Sequence, residues 1–320
     1  MKKKHSLIVS LTGGLGNQLF QLAAGLSLAN NDELLICSAF GRPRKSNTGD
    51  PELLSFNLPY NVKVLNSIEA PKVISKIGGY LLRVGVEPRS YEKSKYFAYF
   101  VRRISKIPLG VFLRKNIHPI MSKGIGFSHI VIPKKDVLLF GYFQSFQWVE
   151  RSEVKRNLMN ITLKKSSETL DNFVKLSAAE KPLIVHIRLG DYLKESNFGI
   201  PSKDYYESGI KTIINLGKCE SIWLFSDDMQ QAKKILPDDI GLKVRYIDQV
   251  DDSTAATFEV MRLGFGYVIA NSSFSWWAAY LSKNINAEVV SPVPWFAGLP
   301  EPVDLIPANW FRISSKHINY

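Results

Sequence analysis

The chain has little cysteine, two residues in 320, which excludes a small scaffold stapled by disulfides. Both, Cys37 and Cys219, sit in apolar strand-like runs and read as small buried hydrophobes, at home in a reducing compartment. No run approaches the ~20 apolar residues that span a bilayer, so an integral helical membrane protein is excluded. Histidine is scarce, and His5, His118, His129 and His317 keep no metal-ligand spacing. Asp-x-Asp, Gly-x-Ser-x-Gly and any Cys/His nucleophile pattern are absent. There is no internal repeat and no low-complexity tract.

The composition that remains is that of a soluble globular protein, 45% hydrophobic and 22% charged. Its length suits two domains of roughly 150 residues. Met1-Lys2-Lys3-Lys4 before Ser6-Leu7-Ile8-Val9 imitates the start of a signal peptide. The apolar stretch is short and runs into Thr12-Gly13-Gly14 without a cleavage site, so it reads as a buried strand. Net charge is +12, and most of the surplus lies between Lys72 and Lys115, where eleven Lys and Arg face only Glu87 and Glu92. That concentration points to a polyanionic neighbour: a membrane surface, a phosphorylated substrate or nucleic acid. No nucleic-acid recognition motif accompanies it, and nucleic acid is not expected as a partner.

Hydrophobic patterning predicts an opening strand at 6–11, a Gly-rich turn, a helix over Leu19 to Asn30 and a strand at Leu34 to Cys37. A loop rich in Gly, Pro, Asn and Ser follows over about 41–60, then a helical, basic stretch over 70–115 and a strand near Asp136 to Tyr142. The second half alternates strands (183–187, 221–225, 244–247, 267–270, 288–290) with helices (202–214, 230–236, 253–263, 274–282). Such alternation builds a parallel sheet covered on both faces. The expected fold is α/β: two Rossmann-like domains with parallel sheets facing across a cleft. The expected domains are 1–150, with an inserted basic segment at about 70–115, and 151–290, the boundary falling in the polar, helix-like segment from about Glu150 to Lys181. The tail 291–320 is expected to pack back towards the first domain.

Functional residues in open parallel sheets gather beyond the carboxyl ends of the strands, and four polar clusters meet that condition. Thr12-Gly13-Gly14-Leu15-Gly16-Asn17-Gln18 follows a strand and precedes a helix. It is either a tight turn or a place where backbone and amides meet sugar hydroxyls or a phosphate. It is not the dinucleotide fingerprint, whose third glycine is Leu19 here. His186-Ile187-Arg188-Leu189-Gly190-Asp191-Tyr192 places His186 and Arg188 on one face of a strand, with Ile187 and Leu189 on the other. A neutral imidazole beside a permanent cation is the expected state. Arg188 can fork onto a phosphate or form a structural pair, and Asp191 can anchor it or act as a base. In Phe225-Ser226-Asp227-Asp228 the carboxylates can cap a helix, accept both N–H groups of guanine, or contribute to a metal site. Asn271-Ser272-Ser273-Phe274-Ser275-Trp276-Trp277 offers hydroxyls at a helix start, as a cap or for a diphosphate. The tryptophans read as core. Together these features fit a nucleotide diphosphate better than a metal centre.

Taken in order, the runs Gly13 to Gln21, His186 to Tyr192, Phe225 to Asp228 and Ser272 to Trp277 resemble the alpha-1,2-fucosyltransferase family, glycosyltransferase family 11, of bacterial type. The resemblance covers nearly the whole chain. It implies transfer of L-fucose from GDP-fucose to the 2-hydroxyl of a galactoside, in a two-domain GT-B type enzyme that inverts the anomeric centre and needs no metal or other cofactor. It further implies that Arg188 binds the donor's β-phosphate and that His186 lines the nucleotide pocket. On the same ground Asp227 or Asp228 reads guanine beside Ser226, and Ser272, Ser273 and Phe274 hold the diphosphate. Gly14 and Gly16 face the donor from the first, acceptor-side domain, near Asn17. Arg188, Asp191 and Asn17 are the catalytic candidates, with Asp191, Asn17 and solvent all open as the route for the acceptor proton. Many relatives carry a second arginine where Leu189 stands, so one cation fewer is expected at the diphosphate.

The basic segment, with Tyr96, Phe97, Phe100 and Phe112 interleaved, is either a solvated helical face or a seat on anionic lipid. The second use fits a cytoplasmic protein peripheral to the inner face of a bacterial inner membrane, with a lipid-linked, galactose-terminated oligosaccharide as acceptor in surface-polysaccharide synthesis. The competing class is a GDP-sugar-binding or lectin-like protein without turnover.

Overall fold

The structure is a computed structural model that describes residues 5–29, 34–37, 51–65, 117–122, 125–190, 192 and 197–318. Residues 1–4, the basic segment Lys72 to Lys115 and Asp191 lie outside the described residues. The chain divides into two compact units, Met1–Thr162 and Leu163–Tyr320.

The first unit holds β1 (Leu7–Ser10), α1 (Leu15–Leu28), β2 (Leu34–Cys37), β3 (Phe56–Asn57), β4 (Val62–Val64), β5 (His118–Met121), β6 (Val137–Phe140) and α2 (Ser152–Met159). Its five-stranded sheet runs β4-β2-β1-β6-β5, and every pairing is parallel. All residues of β1 and β6 are buried, as expected of inner parallel strands covered on both faces. Beyond β7 (Thr162–Leu163), the second unit follows as α3 (Glu168–Glu180), β8 (Pro182–Ile187), β9 (Ile200–Pro201) and α4 (Lys203–Asn215). It continues with β10 (Ser221–Ser226), α5 (Met229–Ile235), β11 (Lys243–Ile247), α6 (Thr254–Met261), β12 (Gly266–Val268), α7 (Ser273–Tyr280), β13 (Glu288–Val293), β14 (Phe311–Ser314) and β15 (His317–Ile318). Its six-stranded sheet has the order β11-β10-β8-β12-β13-β14, again all parallel. Counted from β8, that is the 3-2-1-4-5-6 order of a dinucleotide-binding Rossmann sheet. The expected α/β class with two Rossmann-like units is what the chain adopts.

Period-two alternation in β8 sorts its side chains as expected. Leu183, Val185, Ile187 and Leu189 join the core formed with α4, through Tyr205, Tyr206 and Ile210. Ile184 and His186 face the other way, towards the Gly264 turn and Phe274. Cys219 is in the same core, and burial pushes its thiol up to about 12, in keeping with an inert hydrophobe.

The division falls at Thr162–Leu163, inside the polar segment from about Glu150 to Lys181, with α2 packed on α1 in the first unit. Two features differ from the sequence-based expectation. α1 begins at Leu15, four residues before the expected Leu19, because Gly14 already takes the extended N-cap conformation. The tail expected to return to the first domain is built into the second unit. There β14 pairs with β13, β15 pairs with β9, and the Trp310 ring lies 5.5 Å from that of Trp276. Strand β5 was not expected; its Pro119 weakens the strand signal and is tolerated because β5 is an edge.

A buried ionic cluster fixes the α6–α7 corner. Glu259 and Arg262, 3% and 2% exposed, pair with each other, and Lys283 joins Glu259 at 2.7 Å. Arg262 also donates to the Leu281 carbonyl at 2.8 Å. Charges so deeply buried persist only with partners on each polar group, so the C-terminal end of α7 is held to α6 through a shared guanidinium.

Candidate active site

In an open parallel sheet the ligand crevice lies where successive crossovers leave in opposite directions. In the second unit that point falls between β8 and β12, which are neighbours in the sheet but far apart in the chain. The carboxyl ends of these strands deliver His186 and Arg188 on one side and Asn271 to Phe274 on the other. The adjacent β10 delivers Ser226, Asp227 and Asp228. The structure therefore brings three of the four expected clusters to one sheet end.

Arg188 Nη1 pairs with Asp227 Oδ2 at 3.0 Å, with the two side chains 18% and 27% exposed. Asp227 Oδ1 accepts the Leu189 N–H at 2.9 Å. Asp227 thus holds both the guanidinium and the backbone that carries it. Gly190 makes room for this: a Cβ there would stand 2.3 Å from Asp227 Oδ2. The Arg188 guanidinium carbon also lies 5.8 Å above the Tyr192 ring, and the Tyr192 hydroxyl donates to the Asn271 carbonyl at 3.0 Å. Leu189 itself is buried in the core, so its side chain is turned away from Arg188.

His186 is 4% exposed. Burial, and secondarily the Arg188 charge, lowers its pKa to about 3. The imidazole is neutral, as the sequence leads one to expect. Its Nδ1 is buried without a hydrogen-bond partner, and its ring lies 6.2 Å from that of Phe274. The Tyr206 hydroxyl donates to the His186 carbonyl at 3.2 Å, fixing the strand end from beneath.

The remaining clusters resolve into turn-makers and buried or half-buried polar groups. Ser272 caps α7, its Oγ accepting the Phe274 N–H at 3.3 Å. Ser273 is half-buried at the first helical position, and its hydroxyl has no hydrogen bond among the described residues. Asp228 caps α5 by accepting the Gln231 N–H at 3.1 Å, while Ser226 Oγ accepts the Asp228 N–H at 3.1 Å. Trp276 and Trp277 are core residues. Asn271 was not singled out as a site residue. Its Nδ2 donates to the Phe198 and Gly199 carbonyls at 2.8 and 3.1 Å, tying the segment after β8 to the end of β12.

The first unit's crevice point lies between β1 and β6, where the Gly13 to Gln18 turn sits. Gly13 has φ +73° and packs against Asn17, whose Nδ2 would be 2.4 Å from a Cβ. Gly16 is buried within α1 and Gly14 is its N-cap. Glycine has no side chain with which to cap, and the free Leu15 N–H is bound instead by Glu52 Oε2 at 2.8 Å. That carboxylate is 2% exposed. The helix start read as a possible phosphate seat is thus already occupied by the protein's own anion. Gln18 and Gln21 are wholly buried and serve backbone: Gln18 spans the Gly13 carbonyl and the Leu53 N–H, and Gln21 spans the Gly141 carbonyl and the Thr12 N–H. Asn17 Oδ1 accepts from Gln144 Nε2 at 2.7 Å. Glu52 and Gln144 carried no local signal in the sequence; both are found only through contacts across the sheet end.

The profile of glycosyl transferase family 11 matches residues 119–295, more than half of the chain. An O-antigen biosynthesis glycosyltransferase, WbnK of Escherichia coli, is 28% identical over 313 residues, 90% of this chain and 94% of that one. An alpha-1,2-colitosyltransferase of Escherichia coli is 25% identical over 319 residues, covering 96% and 98%. Among solved structures, the fucosyltransferase NodZ from Bradyrhizobium aligns with a TM-score of 0.47 at 15% identity, over 87% of this chain and 93% of that one.

Two outcomes test this geometry. Gly190→Ala and Asp227→Ala each remove the Arg188–Asp227 contact, so each is expected to destabilise by about 1–3 kcal/mol. The double variant should cost no more than the worse single one, which urea unfolding would read as non-additivity; additive losses would mean that Gly190 does not act through Asp227. For His186, the folded pKa of about 3 lies below the ordinary 6.5, so the unfolded chain binds the extra proton between those values. Stability therefore falls as pH drops through that window, by about 1.4 kcal/mol per pH unit for this one site. His186→Gln should show a correspondingly shallower acid limb, with a constant offset from the parent above pH 7.

Proposed function

This chain belongs to glycosyl transferase family 11, and from that premise we propose that it transfers L-fucose from GDP-fucose to the 2-hydroxyl of a galactoside, inverting the anomeric carbon without a metal ion. The observation that carries the reading is Arg188, set by Asp227 at the crevice point of a Rossmann sheet beside a neutral His186. In the reaction the bond from the fucose C1 to a β-phosphate oxygen breaks, and the leaving GDP gains negative charge. The acceptor oxygen attacks C1 from the opposite face and loses its proton to a base, for which Asp191 is proposed. Arg188, with the α7 turn formed by Ser272, Ser273 and Phe274, faces the developing phosphate charge. A guanidinium already oriented stabilises that charge without reorganising as the bond breaks. A neutral His186 lines the pocket without competing for the anion. Asp227 is engaged by Arg188, so Asp228, whose Oδ1 caps α5, is the carboxylate proposed to meet the guanine N–H groups with its second oxygen.

The relative named for O-antigen biosynthesis supports placing the acceptor in a bacterial surface polysaccharide. A second reading of the donor has a specific basis: the other relative is named for colitosyl transfer. Colitose is fucose without its 3-hydroxyl, so the two donors share everything that Arg188 and the guanine contacts address. Among the described residues no helix is long and apolar enough to cross a membrane, and no group of three His, Cys, Asp or Glu is placed to hold a metal ion. The basic stretch from Lys72 to Lys115 is proposed to seat the enzyme peripherally on anionic lipid.

A panel of GDP-sugars with galactoside acceptors, run with and without EDTA and read by product NMR, tests the reaction. A 2-linked fucoside is expected in both, while quenching by the chelator would overturn the proposal. Arg188→Ala is expected to lower turnover about a hundredfold, roughly 3 kcal/mol of transition-state stabilisation. Flotation with anionic liposomes should recover the protein at low salt and lose it at high salt; no salt-sensitive binding would remove the membrane seat.

A further inference from the structure

The two crevice points of this protein differ in chemical character. The second unit's carries a guanidinium and hydroxyls, whereas the first unit's is built from neutral amides beside a helix start that Glu52 already neutralises. An anion arriving at α1 would meet a buried carboxylate bound to the N–H it needs. A neutral, hydroxyl-bearing ligand would meet no such opposition.

The groups available for such a ligand are two carboxamides. Gln144, just beyond β6, donates through Nε2 to Asn17 Oδ1 at 2.7 Å, and both residues are half-buried. This single bond leaves Asn17 Nδ2 and Gln144 Oε1 without hydrogen bonds among the described residues. If both amides were turned over, the mutual bond would reverse and again leave one donor and one acceptor, so the result does not depend on which atom is nitrogen. A paired donor and acceptor matches a sugar hydroxyl, which accepts and donates at once, or two neighbouring hydroxyls. A phosphate oxygen only accepts. The pair is also held in place: Gly13, at positive φ, gives the Asn17 amide its space, and the Gln144 carbonyl accepts the Gly126 N–H at 3.0 Å.

We infer that Gln144, acting with Asn17, is a specificity-determining residue of the first unit that reads a hydroxyl of the neutral acceptor sugar. The inference rests on the transferase reading above for the identity of that sugar as a galactoside. Its test uses no donor, so that it fails or stands separately from the fucosyl assignment.

Binding of methyl β-galactoside, and of analogues deoxygenated at one carbon at a time, would be measured by saturation-transfer NMR on the full chain. The expected result is that the parent galactoside binds and that removing one particular hydroxyl weakens binding about tenfold. Gln144→Ala should weaken the parent to the same degree and be indifferent to loss of that same hydroxyl. Gln144→Glu keeps the shape but, after Asn17 turns to bond it, leaves two unbonded oxygens in place of the oxygen and the unbonded amide nitrogen of the parent. It should lose the same tenfold with an unchanged Tm, which separates recognition from packing. Additive losses in the cycle, undiminished binding by both variants, absence of any galactoside binding by the parent chain, or displacement of the sugar by inorganic phosphate would each overturn the assignment.

Discussion

The contact between Arg188 and Asp227 governs the second unit's site. A free arginine carries about 2 kcal/mol of rotamer entropy, which a phosphate would have to offset on arrival. Asp227 removes that freedom beforehand, and its other oxygen fastens the Leu189 N–H, so side chain and main chain are fixed by one carboxylate. The arrangement requires that residue 190 have no side chain. Asp227 also offsets part of the charge that Arg188 could offer an anion. What the pairing contributes is orientation rather than field strength, and orientation that need not change during reaction is the more effective use of a single cation.

Burial acts on His186 in the complementary sense. A charged imidazole beside Arg188 would add a second cation, but desolvation keeps it neutral far below physiological pH. His186 therefore adds no second cation beside Arg188 as the solution moves between pH 6 and 8. At the first unit's sheet end a buried carboxylate, Glu52, is bound to the start of α1. One chain thus builds two sheet ends from similar strand–turn–helix parts and gives them different chemistry, a guanidinium with hydroxyls at one and neutral amides beside a bound carboxylate at the other.

Much of this was legible in the sequence where the signal is local. β8 and β10 are near-continuous apolar runs, and α5 and α7 open with Asp228 and Ser272 as caps, so elements and candidate clusters could be read directly. The face shared by His186 and Arg188 followed from alternation alone. Long-range partners left no trace: Glu52 is 37 residues from the N–H it binds, and Gln144 is 127 from Asn17. The local motif offered Asp191 as an anchor of Arg188 or as a base, and Asp191 lies outside the described residues; the Arg188–Asp227 pair, brought about by the parallel pairing of β10 with β8, had no local signal. The late edge strands β14 and β15 are short and partly exposed, so their patterning is weak and their true attachment to the second unit was not apparent.

Leu189 shows how a departure from a family's pattern is absorbed. Judged by composition, replacing an arginine there by leucine removes a cation from the diphosphate site. In the fold the side chain at 189 is buried and joins the core that Leu183, Val185 and Ile187 form with α4. A guanidinium in that position would have to be buried among apolar groups, at several kcal/mol unless paired, or would have to pull the strand end out of register. Leucine instead extends the core by one residue and pins the peptide whose N–H reaches Asp227. The contribution of position 189 to the site is thus its backbone and its anchorage, which hold the strand end that carries Arg188.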